Sequence, residues 1–233
     1  RLRSPLASAW RLHHRPDRQA GSVTLLAVVS DIHADVHALL EALAQAARLG
    51  CEKVVCAGDL VDYGLFPDET LSVLREREIP CVRGNHDRWA VSGTSDRGGY
   101  DLSPESVRFL EDMPRHLSFV LVGTRIAVWH GRPARRNADG NCDMDGIYPE
   151  ISVSDRSAIL SSAQADILIV GHTHRAMALR FGSGMIVNPG ALLRDPAPGA
   201  NIRATGTFGV LDARERTWTV HRAADGVVVP HAT

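Results

Sequence analysis

The sequence predicts an α/β protein, a four-layer α-β-β-α sandwich of two mixed sheets. Three observations predict it. Apolar runs alternate with amphipathic helical segments from Val23 to Val82, which makes a parallel sheet with helical crossovers. From Ser118 onward the chain is strand-rich and broken by glycine turns, which suggests a second sheet packed on the first. A polar cluster follows each major apolar run, the position where ligands collect beyond the carboxyl ends of strands in open α/β sheets.

The elements follow in order. Val23 to Val29 (VTLLAVV) reads as a buried strand leading into Ser30-Asp31-Ile32-His33. A helix is expected from about Asp35 to Leu49, with Val36, Leu39, Leu40, Leu43 and Ala47 on one face and Gly50 as its stop. Lys53 to Ala57 is a second strand, ending at Gly58-Asp59. Pro67 to Glu76 is a second helix, with Pro67 in its first turn and Asp68 and Glu69 favouring its positive end. Ile79 to Val82 is a short third strand running into Gly84-Asn85-His86-Asp87. Ala90 to Asp101 reads as a loop, and Ser103-Pro104-Glu105 as the capped start of a helix that ends before Pro114. Ser118 to Val122 and Arg125 to Trp129 flank Gly123-Thr124 as a hairpin, with His130-Gly131 after the second arm. Arg132 to Pro149 lacks hydrophobic periodicity and reads as a long loop. Ser154 to Ala163 is a helix leading to the strand Asp166 to Val170. That strand breaks at Gly171 and presents His172 and His174. Ala176 to Phe181, Met185 to Val187, Thr205 to Leu211 and Thr217 to Val220 complete the strands.

At 233 residues, 44% hydrophobic and 23% charged, the chain is ordinary globular material. A formal net charge of −1 gives no whole-chain case for binding a large nucleic acid or an acidic membrane. No apolar run approaches the ~20 residues that span a bilayer. Cys51, Cys56, Cys81 and Cys142 show no CxxC pairing, and Cys56 and Cys81 lie in apolar runs, so reduced thiols in a cytoplasmic location are expected. Residues 1–21 are Arg-rich with Asp17 as their only acid, a composition similar to a transit peptide. They read as an N-terminal tail, leaving 22–233 as one domain.

Chemistry concentrates after the strands. Asp31, His33, Asp59, Asn85, His130, His172 and His174 are seven oxygen and imidazole donors. Each has an ordinary alternative: the aspartates could cap helices and Asn85 could close a turn. Together they are too many for one tetrahedral zinc and suit two divalent ions sharing a bridging carboxylate. A donor set without thiolate fits Mn, Fe, Zn, Ni or Co. His37 reads as a solvated helix residue and Asp87 as a turn closer.

The ordered blocks resemble the calcineurin-like metallophosphoesterase superfamily. Its DxH, GDxxD, GNHD, later H and GHxH patterns match Asp31-Ile32-His33, Gly58-Asp59-Leu60-Val61-Asp62, Gly84-Asn85-His86-Asp87, His130-Gly131 and Gly171-His172-Thr173-His174. Asn188-Pro189-Gly190 is similar to the segment that follows in small bacterial and archaeal members. The resemblance implies that Asp31, His33 and His174 hold a first ion, Asn85, His130 and His172 a second, and that Asp59 bridges. It implies two divalent cofactors, with Mn the leading expectation and Fe, Zn, Ni, Co or Mg as alternatives. His86 would stabilise phosphate charge or protonate the leaving oxygen, oriented by Asp62. Arg132, with Arg135 and Arg136, is a candidate phosphate contact. The substrate would be a small phosphomonoester or phosphodiester, a nucleotide among the options, and a homodimer or homotetramer is compatible with the family.

Tyr63 stands where the protein-phosphatase branch has arginine. This favours the small phosphodiesterase-like branch, although Asp35 replaces that branch's usual asparagine. Alternatives from other classes are a non-catalytic scaffold on the same fold and a nucleotide-processing nuclease. Loss of ligands would mark the scaffold, and every expected ligand is present.

Overall fold

Alternate residues of one strand feed two different cores. In β1 (Leu25–Val29), Leu26 and Val28 face a second sheet, while Ala27 and Val29 face helices. This is the period-two geometry of a strand buried on both faces. The structure, a computed structural model, describes residues 24–94, 101–133 and 145–233. The predicted N-terminal tail therefore lies outside the described residues, as do Arg135, Arg136 and Cys142.

After β1 come α1 (Val36–Arg48), β2 (Lys53–Cys56), α2 (Pro67–Glu76), α3 (Asn85–Ser92) and α4 (Pro104–Asp112). The chain continues through β3 (His116–Leu121), β4 (Thr124–Trp129), α5 (Val153–Ala163) and β5 (Ile167–Ile169). It ends with β6 (Met177–Phe181), β7 (Gly184–Asn188), β8 (Thr207–Asp212), β9 (Thr217–Arg222) and β10 (Val228–Val229). One sheet runs β10-β9-β8-β1-β2 and the other β3-β4-β5-β7-β6. Both are mixed: β1 pairs parallel with β2 and antiparallel with β8, while β5 pairs parallel with β4 and β7.

The predicted four layers are observed. Leu26, Val28 and Val55 of the first sheet meet Ile126, Val128, Ile167 and Ile169 of the second in a central core. Leu39, Leu43, Leu71, Leu74 and Leu110 cover the outer face of the first sheet. Ile159 and Leu160 of α5 cover Leu168, Leu179 and Ile186 on the outer face of the second. No helix among the described residues is long and apolar enough to cross a membrane.

Three expectations need correction. The third strand shrinks to an isolated parallel bridge between Cys56 and Cys81. Pro80 has no N–H to extend a ladder, although its carbonyl still accepts from Cys56 N at 2.9 Å. The loop expected from Ala90 begins inside α3, which starts within the GNHD block and ends at Gly93 with φ +68°. The strand β10 is too short to leave a periodic signal. Helix α1, by contrast, starts as expected: Asp35 is its N-cap and accepts from Ala38 N at 2.9 Å.

Phe208 of β8 is fully buried in the core beneath the helices. Phe208→Ala is expected to lower the unfolding free energy by about 3–5 kcal/mol, read from urea denaturation at unchanged m-value. A loss below about 1 kcal/mol would mean that this core is not closely packed.

Candidate metal centre

The carboxyl ends of β1, β2, β4 and β5 meet at one edge of the sandwich. Asp31 N donates to the Gly58 carbonyl at 2.9 Å, and Gly171 N donates to the His130 carbonyl at 3.0 Å, so neighbouring strand-end loops are sewn together. These loops are strained. Asp31, His33, Ala34, Asp59, Asp62, Tyr63, His172 and His174 all have φ between +50° and +78°. Left-handed backbone costs a non-glycine residue roughly 1–2 kcal/mol, and clusters of such residues mark functional sites.

The strain turns the side chains inward. Two groups result: Asp31, His33 and His174, and Asp59, His130 and His172, with the potential ligand atoms of each group within 4.8 Å of one another. The paired histidines are thus divided between the groups. Residues two apart on a regular strand would face the same way, and the left-handed conformations at His172 (φ +68°) and His174 (φ +54°) break that regularity. Asn85 joins the second group, its Oδ1 lying 3.2 Å from His130 Nε2 and 2.9 Å from His172 Nδ1. Asp59 Oδ2 stands between the groups, 3.1 Å from His130 Nε2 and 4.0 Å from His33 Nε2.

Ring tautomers follow from the outer nitrogens. His33 Nδ1 donates to the Val61 carbonyl at 3.0 Å, His130 Nδ1 to the Ala57 carbonyl at 2.7 Å, and His174 Nδ1 to the Arg203 carbonyl at 2.8 Å. A carbonyl only accepts, so each Nδ1 carries a hydrogen and, in a neutral ring, each Nε2 presents a lone pair. Yet His33 Nε2 and His174 Nε2 lie 3.1 Å apart, and His174 Nε2 is 3.2 Å from Asp31 Oδ1. Bare lone pairs and carboxylate oxygens packed this closely repel unless a proton or a cation sits among them. Histidines oriented through a second-nitrogen hydrogen bond are the usual arrangement around a metal. The residues therefore fit a pair of divalent ions.

Charge balance points the same way. Burial opposes ionisation of Asp31 and Asp59, but the surrounding imidazoles hold Asp31 below and Asp59 well below the usual carboxylate range. Burial lowers His33 to about 4, against the pull of Asp59 and Asp31, which leaves its ring neutral and able to ligate. At His130 burial is outweighed by Asp59, by the hydrogen bond to it, and by Asp31 and the Ala57 carbonyl, which push the ring up to about 10. The site attracts positive charge, carried either by a proton or by an ion.

The remaining expected residues also have definite places. His86 Nδ1 donates to Asp62 Oδ2 at 2.7 Å, and its backbone N–H donates to Asp59 Oδ1 at 2.9 Å. Burial would lower the His86 ring, but the charges of Asp59 and Asp62 and the bond to Asp62 raise it. The rings of Tyr63 and Trp89 flank His86, with centroids 4.8 and 4.7 Å away. Arg132, the candidate phosphate contact, has partners within the protein. Its guanidinium donates to Asp155 Oδ1 at 3.1 Å and its backbone N–H to the Asp145 carbonyl at 2.7 Å, so it ties its loop to the start of α5. Asp35 Oδ2 accepts from Arg194 N at 2.9 Å and Asp195 N at 3.2 Å, a loop-pinning use in addition to its cap. His37 is exposed, as expected, and lies edge-on to Phe66.

Sequence reasoning undervalued two residues. Asp87 is fully buried, and its carboxylate accepts from Leu60 N at 2.7 Å, Gly84 N at 2.8 Å and Asp59 N at 3.0 Å. It ties the Asp59 loop to the Asn85 loop. Burial and the nearby Asp59 charge push it up to about 6. Ser30 Oγ donates to Asp31 Oδ2 at 2.6 Å and orients that carboxylate. Only the position of Ser30 before Asp31 hinted at this.

Fold and site together define an α/β sandwich with paired, buried metal-binding groups at the strand ends. The chain belongs to the calcineurin-like phosphoesterase superfamily, whose domain matches residues 25–216. It is 24% identical over 185 residues to an uncharacterized protein of Methanocaldococcus jannaschii, covering 74% of this chain and 71% of the relative. Its fold is similar to that of a hypothetical protein from Pyrococcus horikoshii, with a TM-score of 0.68 and 19% identity over 89% of this chain and 88% of the other. It is also similar to a metallophosphoesterase from Sphaerobacter thermophilus, with a TM-score of 0.64 and 22% identity over 90% and 89% of the two chains.

Two substitutions test the construction. A Cβ on Gly84 would run into the Asp59 carboxylate and backbone. Gly84→Ala is expected to weaken divalent-metal binding about tenfold to a hundredfold by calorimetric titration, the usual effect of disturbing the shell around a metal ligand. Asp87→Ala strands buried N–H groups, each costing about 1–3 kcal/mol. Its unfolding free energy is expected to fall by several kcal/mol, measured by chemical denaturation. A loss below about 0.5 kcal/mol would show that Asp87 does not hold the two loops together.

Proposed function

We propose that this protein hydrolyses small phosphoesters, monoesters or diesters, using two divalent metal ions, with manganese the leading choice. The observation that carries the reading is the convergence of imidazole Nε2 atoms, fixed by carbonyls behind them, on the buried carboxylates of Asp31 and Asp59. Membership in a phosphoesterase superfamily supports the reaction class. Nitrogen and oxygen donors without thiolate support a metal such as Mn, with Fe, Zn, Ni, Co or Mg as other occupants.

Asp31, His33 and His174 would hold the first ion, and Asn85, His130 and His172 the second, with Asp59 available to both. When bound, the ions would supply charge neutralisation for the phosphoryl oxygens and acidify water for in-line attack. Ser30 and the backbone N–H of His172, which donates to Asp31 at 3.1 Å, keep the Asp31 carboxylate aimed inward. His86 acts outside the ions. Asp62 accepts a hydrogen bond from His86 Nδ1–H, stabilises the imidazolium and leaves Nε2–H to face the substrate. That proton stabilises developing charge on the phosphoryl group or passes to the leaving oxygen. Asp62 acts through His86 as a positioning residue. A small phosphoester, nucleotides among them, is the fitting substrate class.

The test combines metal analysis with turnover of a chromogenic phosphomonoester and a phosphodiester. Asp59→Asn is expected to lose bound metal and activity together. His86→Ala should keep the metal while kcat falls about a hundredfold to ten-thousandfold. Full turnover by His86→Ala would refute its role, and a wild-type protein with neither metal nor turnover in added manganese would refute the whole reading.

A further inference from the structure

A cavity of about 520 Å³ opens beside the first metal-binding group. Its walls come from both sheets. Arg222 closes β9, and Val229 belongs to β10 of the same sheet. Arg175 and Ala176 lead into β6 of the other sheet. The C-terminal segment clasps the two sheets, with Ala178 N donating to the Ala232 carbonyl at 2.7 Å and Ala232 N donating to the Ala176 carbonyl at 3.0 Å. His231 of this segment also lines the cavity.

The lining is cationic. Arg175, Arg203 and Arg222 border it, and no aspartate or glutamate is among the described residues that line it. Glu150 engages Arg175 at 2.8 Å and Asp225 engages Arg222 Nε at 3.4 Å, and both acids lie outside the lining. Arg203 has no acidic partner among the described residues. In a chain of net charge −1, three arginines border a cavity with no acid among its described lining residues, and the charge of Arg203 is the one not balanced by an ion pair among the described residues. Guanidinium forks match phosphate and carboxylate oxygens.

The cavity and the metal-binding group share one residue. His174 lines the cavity, its Nε2 lies 3.2 Å from Asp31 Oδ1, and its Nδ1 donates to the carbonyl of Arg203 at 2.8 Å. We propose that this cavity is an anion subsite that receives a second negatively charged group, a phosphate or carboxylate, of the phosphoester cleaved at the metal centre. The proposal rests on the hydrolase reading and narrows its substrates to phosphoesters bearing two anionic groups.

The test measures kcat/KM of the manganese-loaded protein on adenosine monophosphate and on the matching adenosine bisphosphate. The subsite predicts a preference for the bisphosphate of about tenfold or more, the usual worth of a charge-assisted hydrogen bond. The double variant Arg203→Gln/Arg222→Gln should abolish most of that preference, and Arg203→Lys/Arg222→Lys should restore part of it. A wild-type ratio near one, or a ratio that the glutamine pair leaves unmoved, overturns the subsite while the hydrolase reading stands. Turnover of neither nucleotide, nor of the chromogenic esters, overturns the hydrolase reading instead. The cavity is then judged by titrating inorganic phosphate in a thermal-shift assay. A rise in Tm that the glutamine pair abolishes supports an anion site, and equal rises in both proteins overturn it.

Discussion

One carboxylate oxygen organises this molecule. Asp59 Oδ2 is buried, faces His130 at 3.1 Å and His33 at 4.0 Å, and has little access to water. A buried unpaired charge is among the most expensive features a fold can carry. Here the expense is met by orientation. The His86 amide holds Oδ1, the Asp87 carboxylate holds the Asp59 amide, and three imidazoles are turned by carbonyls so that their Nε2 atoms point inward. Each of these contacts makes sense as preparation for positive charge at one point.

Such a centre requires both sheets. Asp31, His33 and Asp59 follow strands of the first sheet, whereas His130, His172 and His174 follow strands of the second. Each metal-binding group mixes donors from the two. The central core of Leu26, Val28, Val55, Ile126, Val128, Ile167 and Ile169 is therefore more than a source of stability. It sets the distance between donors that are far apart along the chain, and close packing lets little of that distance relax. Metal affinity and sandwich packing are coupled for this reason.

The strained loops complete the division of labour. The strands stop at the rim, and left-handed residues there bend the chain so that His172 and His174 turn to different groups while Asp31 and His33 stay together. Their conformational cost is borne by regular elements behind them. The centre and the arginine-lined cavity then meet at His174, whose two ring nitrogens face in opposite directions.

Much of this was legible in the sequence. The 2.0 and 3.6 periodicities of strand and helix located most elements within a residue or two, because core burial acts on local pattern. The start of α2 at Pro67 and of α4 at Pro104 followed from proline at the first helical turn. The candidate metal donors stood out because chemistry limits them to a few residue types, and all but Asn85 fall shortly after a strand. Other features have no local signature. Asp87 looks like a turn residue until three amides from two loops are seen to converge on it, and Arg132 looks free until Asp155 is brought beside it. The cationic cavity gathers Arg175, Arg203 and Arg222 from separated segments. The sequence by itself determined the α/β class, the strand order along the chain and the donor chemistry, since these depend on neighbours in the chain. Only the tertiary structure decided which sheet edge each strand joined, which donors lay together and where the three arginines collected. Those outcomes depend on distances across the sandwich, which packing sets and local pattern does not encode.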